Sequence, residues 1–251
     1  IVFDNQIKTS YENISKALNT KPENLEVNGK KIFENLKPHE VNRLDSIMKG
    51  AGKNYDSKRV EVGIKFAKTA NCKDLNEFCA AFEYVLRQLD EKVKICRGEN
   101  PNPQRDQGIR VADFYFDKVC QEVSLTDLKI GFDQLQETCH QYNNANNPRF
   151  VNSMAAANHY DKHNVFPKID PNNPLTQQQY FQVAQELTSQ PITPQNSRIT
   201  QSGDSLCITY TDPANGTMAI VYQNLADGTS VLATLMHKEV VISSTLIRNG
   251  S

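Results

Sequence analysis

No stretch of this 251-residue chain approaches the roughly 20 consecutive apolar residues that cross a bilayer, so no membrane span is expected. A surplus of one charge is missing as well. Twenty-eight lysines and arginines stand against 29 acids, a net charge of −1. Nothing therefore pulls the chain as a whole toward nucleic acid or acidic membranes, and DNA is not an expected partner. The opening residues, "IVFDNQIKTS", lack the basic and apolar runs of a signal peptide; Ile1 in place of Met leaves room for an upstream segment. No C-x-x-C spacing points to zinc. Five of the six cysteines fall within residues 72–139, and the sixth is Cys207. Cys72 and Cys79 would lie roughly 10 Å apart on one helix, beyond bridging distance. Mostly buried free thiols in a reducing compartment are the expectation. Histidine is scarce too, with only five in the chain.

What is present suits a folded protein. Hydrophobic residues make up 38% and charged residues 23%, which rules out wholesale disorder. The first part reads as helices. Tyr11, Ile14 and Leu18 recur at helical spacing within "TSYENISKALNT". "GKKIFENLKPHEVNRLDSIMKGAG" reads as one or two helices, interrupted by Pro38 and stopped at Gly50. Leu75, Phe78, Cys79, Phe82, Val85, Leu86, Leu89 and Val93 form one stripe and mark the clearest helix. "GENPNPQRDQG" is a loop by composition, and two more helices follow around 109–123 and 125–142.

"NNANNP", residues 143–148, is the expected boundary, because asparagine favours turns over helix interiors. A helical domain over 1–147 and an α+β domain over 148–251 result. In the second, "PRFVNSMAAANHYDKHNVF" and "NPLTQQQYFQVAQELTSQ" read as helices, the latter with a Thr176/Gln179 capping box. The period then switches to two. "SLCITYT", "TMAIVYQ" and "TSVLATLMH" read as strands joined by "DPANG" and "NLADG" turns, and "EVVISSTLI" as a fourth strand. The fold class is α+β, with an antiparallel sheet.

Two of the histidines fall four apart in "NHYDKHNVF", so His159 and His163 share one helix face. Three readings compete. The pair is a solvated or capping feature, or half of a metal site, or an acid–base pair. The zincin pattern needs glutamate after the first histidine, where Tyr160 stands, and no third ligand is evident. No metal or other cofactor is expected. Imidazole titrates near neutrality, so one ring can take a proton while the other gives one. That suits attack of a ribose 2′-hydroxyl on its own phosphodiester, with no metal and no outside nucleophile.

The order His-x-x-Lys-His, then Thr176, Tyr180 and Ala184 spaced four apart, then a strand entered by Asp227-Gly228 and carrying Thr234, resembles the toxin ribonucleases of the barnase–EndoU–colicin–RelE superfamily. Those on contact-dependent-inhibition and polymorphic toxins come nearest. The resemblance covers about residues 149–240. It implies that His159 and His163 are general acid and base, that Thr234 holds a phosphate oxygen, and that Arg198 steadies the charge developing on phosphorus. Lys162, Tyr210 and His237 would line the substrate cleft. His237 lies three residues beyond Thr234 and so on the opposite pleat face. The resemblance also implies an RNA substrate, a cognate immunity or inhibitor protein, and a secreted or injected effector acting in the target cytoplasm.

Charge limits this reading. Residues 149–251 hold six basic and seven acidic side chains, whereas phosphate binding brings a basic surplus. A small, focused RNA site is compatible with that balance, as are docking on one RNA through a partner protein and a nucleotide target. Two other classes stay open. A nucleotide-dependent transferase such as an ADP-ribosyltransferase would use Glu239 and "ISST" at 242–245, although their order is reversed from that pattern. A non-enzymatic effector or phage-associated protein would bind a protein partner through the helical part.

Overall fold

The computed structural model describes residues 4–50, 55–98 and 113–238. The fold is mixed α+β, and the chain divides into two compact units between Gln134 and Leu135.

In the first unit α1 (Asn5–Leu18), α3 (Ser57–Thr69) and α4 (Leu75–Cys96) each start at an aspartate whose carboxylate accepts backbone N–H bonds. Asp4 accepts from Ile7 at 2.8 Å and Asp74 from Glu77 at 2.8 Å, satisfying donors that a helix start leaves open. The predicted stripe of α4 is buried along its whole length, with Phe78, Cys79, Phe82, Val85 and Val93 wholly enclosed. Gly63 on α3 meets it where a Cβ would fall 2.2 Å from the Phe82 ring. Arg59 holds Asp90 through two bonds of 2.5 Å, tying α3 to α4.

The 29–52 stretch, expected to give one or two helices, gives one among its described residues, α2 (Pro38–Lys49). Ahead of it, β1 (Glu26–Val27) and β2 (Lys30–Lys31) make a short hairpin, so the unit is not purely helical. Asn28 and Gly29, both at positive φ, permit that turn. α5 (Asp113–Glu122) and α6 (Leu125–Ala145) fall where two helices were expected, and the division between the units lies within α6.

The second unit holds the end of α6, α7 (Ser153–His163), α8 (Gln177–Thr188) and four strands, β3 (Ser197–Ser202), β4 (Ser205–Asp212), β5 (Thr217–Asn224) and β6 (Ser230–His237). The strands form an antiparallel meander in the order β3-β4-β5-β6. α7 packs on β6, and α8 on β4 and β5. The Thr176/Gln179 capping box is present, with reciprocal bonds of 3.2 and 2.9 Å. Tyr180, Phe181, Ala184 and Leu187 form the buried side of α8. They meet Ile208, Tyr210, Ala219, Val221, Leu232 and Leu235 from the sheet. The last two are three residues apart, and a bulge reconciles them. Ile220 pairs with Thr234 and Val221 with Leu232, which leaves Ala233 without a partner.

The asparagine-rich segment lies inside this unit and acts as a tie. Asn143 is buried, accepts from the Phe150 N–H at 2.9 Å and donates to its carbonyl at 3.2 Å. Asn146 donates to the Phe181 carbonyl at 3.1 Å. Arg149 then runs beside β6, its carbonyl accepting from Leu232 at 2.8 Å. The strand expected at 239–247 lies outside the described residues, as do Glu239 and residues 242–245.

Candidate functional site

α7 begins at Asn152, whose side chain accepts from Ala155 N–H at 2.8 Å. Ala155, Ala156, Ala157 and Tyr160 then turn toward the core, and the Tyr160 hydroxyl donates to the Leu175 carbonyl at 2.6 Å. This fixes the rotation of the helix and with it both imidazoles. His163 is only 8% exposed. His159 is half-buried, with Nδ1 shielded from solvent. The two rings stack, centroids 6.0 Å apart and planes 25° apart. Phe150 stacks on His159 at 4.9 Å and 12°. Phe150, His159 and His163 are thus linked by two successive ring contacts. Lys162 and His163 occupy the last turn, where the partial negative charge of the helix end favours cationic side chains.

The other predicted residues divide between the two faces of the sheet. Arg198 pairs with Thr209, Thr209 with Ile220, and Ile220 with Thr234. These four make one row on the face turned away from the helices. Arg198 and Thr234 are three interstrand spacings apart in it, roughly 14 Å. Tyr210 and His237 lie on the helix-facing side, in rows with Ala219 and Thr217 respectively. Tyr210 is 7% exposed and belongs to the core cluster, and burial raises its phenol above the ordinary range. His237 lies edge-on to Phe166 at 6.2 Å. A Cβ at Gly216 would fall 2.7 Å from its Nε2, so this glycine, at φ +66°, makes room for the ring. The structure therefore brings together His159 with His163, separates Arg198 and Thr234 from them by the thickness of the sheet, and sets Tyr210 into the core.

Among the described residues no three His, Cys, Asp or Glu side chains gather closely enough to hold a metal ion. His140 is engaged structurally. Asn144 Nδ2 lies 3.0 Å from its Nε2 and Ser153 Oγ 2.9 Å from its Nδ1, linking α6 to the start of α7. All six cysteines are free thiols. Cys72, Cys79 and Cys139 are buried, Cys120 and Cys207 half-buried, and Cys96 exposed.

A cleft of about 370 Å³ opens elsewhere on this unit, between α8 and the β4–β5 turn. Lys168, Val183, Glu186, Leu187, Asp212 and Thr217 are among its lining, and none of the seven predicted site residues lines it. Sequence reasoning missed it because its walls come from three separated segments with no common motif. Comparison with protein-family models, with curated proteins and with solved structures returns no match for the chain.

Proposed function

We propose that the second unit is a metal-independent ribonuclease of the toxin type, with His159 and His163 as its general acid and base. The observation that carries the proposal is the imidazole pair itself. One helix face holds both rings 6.0 Å apart, locked by stacking on Phe150. Two titratable rings at fixed separation suit a reaction in which one base deprotonates a 2′-hydroxyl and one acid protonates the leaving 5′-oxygen. Each role contributes about 10²–10⁴ in rate. Lys162, on the same last turn, supplies positive charge for the scissile phosphate. Thr234 and Arg198 take no part in the chemical step in this proposal, because they face the far side of the sheet. They hold flanking RNA instead. The helical first unit serves delivery, folding or partner docking, a cognate inhibitor protein neutralises the enzyme, and the site of action is a target cell's cytoplasm.

The test is incubation of the full chain with total RNA in excess EDTA. Products ending in 2′,3′-cyclic phosphate are expected, with rates down at least 100-fold in His163→Ala and in His159→Ala. His163→Gln, closer in volume, keeps the fold and separates lost chemistry from lost packing. RNA left intact by the wild-type chain overturns the proposal.

A second reading is favoured by the burial of His163 to 8% exposure. On it the imidazole pair is packing, and the chain is a non-enzymatic effector that binds a protein partner. Intact RNA, together with partner capture by the wild-type chain that surface variants of the first unit abolish, is its expected outcome.

A further inference from the structure

The cleft between α8 and the β4–β5 turn has a composition that selects its occupant. Val183 and Leu187 of α8 give it an apolar wall, and Ile169, 39% exposed, extends that wall to the rim. Thr217 lies in the lining at 3% exposure, and its hydroxyl makes no hydrogen bond among the described residues. The hydroxyl is not itself fully buried, so it keeps solvent access and is free to take a partner entering the cleft. Two carboxylates, Glu186 and Asp212, share the lining with one ammonium, Lys168. That ammonium is already directed to the Pro213 carbonyl at 2.9 Å. Glu186 accepts from Gln182 Nε2 at 3.0 Å. Asp212 accepts from Ala214 N–H at 3.0 Å and Asn215 Nδ2 at 3.2 Å. A carboxylate offers about four acceptor positions, so both retain capacity.

The charge balance excludes an anion, which would meet two carboxylates against one occupied lysine. A wholly apolar ligand would leave the Thr217 hydroxyl and the carboxylates unanswered. A long side chain with an apolar stem and a cationic head answers all three features. We propose that this cleft docks an arginine from a basic segment of a protein partner. Its stem lies on Val183, Leu187 and Ile169. Its planar head has five donors, enough for Glu186, Asp212 and the Thr217 hydroxyl together, which the compact ammonium of lysine does not match in geometry. The inference stands apart from the α7 imidazoles and does not depend on RNA cleavage.

The probe is N-acetyl hexa-arginine amide, titrated into the isotopically labelled full chain at low salt, with hexa-lysine and hexa-citrulline as controls. Hexa-arginine is expected to shift the amide signals of 168–169, 182–190 and 212–217 most. Hexa-citrulline, of nearly the same shape but uncharged, binds at least tenfold more weakly. Glu186→Gln, on an exposed helix position, weakens hexa-arginine about tenfold, and Thr217→Val weakens it about threefold. Shifts centred elsewhere overturn the site. Equal binding of hexa-citrulline, or undiminished binding by Glu186→Gln, overturns the charge argument, and equal binding of hexa-lysine overturns the choice of arginine.

Discussion

Leu232 and Leu235 lie three residues apart on β6, yet both enter the helix-facing core, because Ala233 bulges between them. Without the bulge, strict alternation would put Thr234 on the side of Leu232 and drive Leu235 outward. The pairing of Thr234 with Ile220, on the opposite face from Leu235, gives a direct test. Leu235→Ala, at a wholly buried position, should cost about 2–5 kcal/mol in denaturant unfolding. Thr234→Ala should cost less than about 1 kcal/mol, since it removes no core contact. At saturating RNA in the EDTA-resistant assay Thr234→Ala should change the rate less than twofold. A reversed order of the two stability losses would mean that the strand is not bulged.

Gly63 offers a second test, in the first unit. The Phe82 ring occupies the space that any side chain there would need. Gly63→Ala raises intrinsic helix propensity by about 1 kcal/mol, but overpacking costs about 1–3 kcal/mol or more. A net loss is expected, because the clash at 2.2 Å involves a ring that is itself fully buried. Phe82→Leu should lose less stability in the Gly63→Ala background than in the wild type, a coupling that a double-mutant cycle measures.

α4 was legible because eight apolar residues repeat at one period with no competing pattern. α8 was legible through its capping box, and β4 to β6 through alternation between turn signals. α3 was not. Val60, Val62 and Ile64 alternate at period two while Val60, Gly63, Phe66 and Ala67 are the residues buried at helical spacing, so two periods overlap and tertiary packing decides. β3 offers only Ile199 as an apolar residue and forms because β4 supplies a partner. For the candidate site, spacing sufficed to place His159 and His163 on one face. It did not reveal which sheet face Thr234 would take, since one bulged residue inverts everything after it. Nor did it reveal that Asn143 and Asn146 bind backbone groups instead of loosening the chain.

Thiol reactivity should separate the six cysteines. Burial pushes the thiols of Cys72, Cys79 and Cys139 up to about 12, so almost none is thiolate near pH 8, and access is blocked as well. Cys96 is exposed. Limited alkylation of the native chain, read by peptide mass mapping, should modify Cys96 first and leave Cys72, Cys79 and Cys139 unmodified until denaturant is added. Early modification of Cys79 would show that the α4 core opens locally.

Tyr11 and Glu23 should give the first unit a pH-dependent increment of stability with two edges. The Tyr11 hydroxyl donates to Glu23 Oε2. Burial, with the glutamate beside it, raises the Tyr11 phenol to about 12, and the same hydrogen bond lowers the Glu23 carboxyl. A lowered carboxyl contributes stability above the unfolded glutamate value of about 4.3, and the contribution disappears as pH falls through the folded value. A raised phenol contributes below the unfolded value of about 10, and that contribution disappears as pH climbs toward 12. Both groups are half-buried and keep part of their contact with water, so screening keeps the whole increment under about 1 kcal/mol. Tyr11→Phe should therefore lower stability by that amount between pH 5 and 10 and converge with the wild type toward pH 3, as urea unfolding at a series of pH values would show. A constant difference down to pH 3 would assign the loss to packing and not to the hydrogen bond.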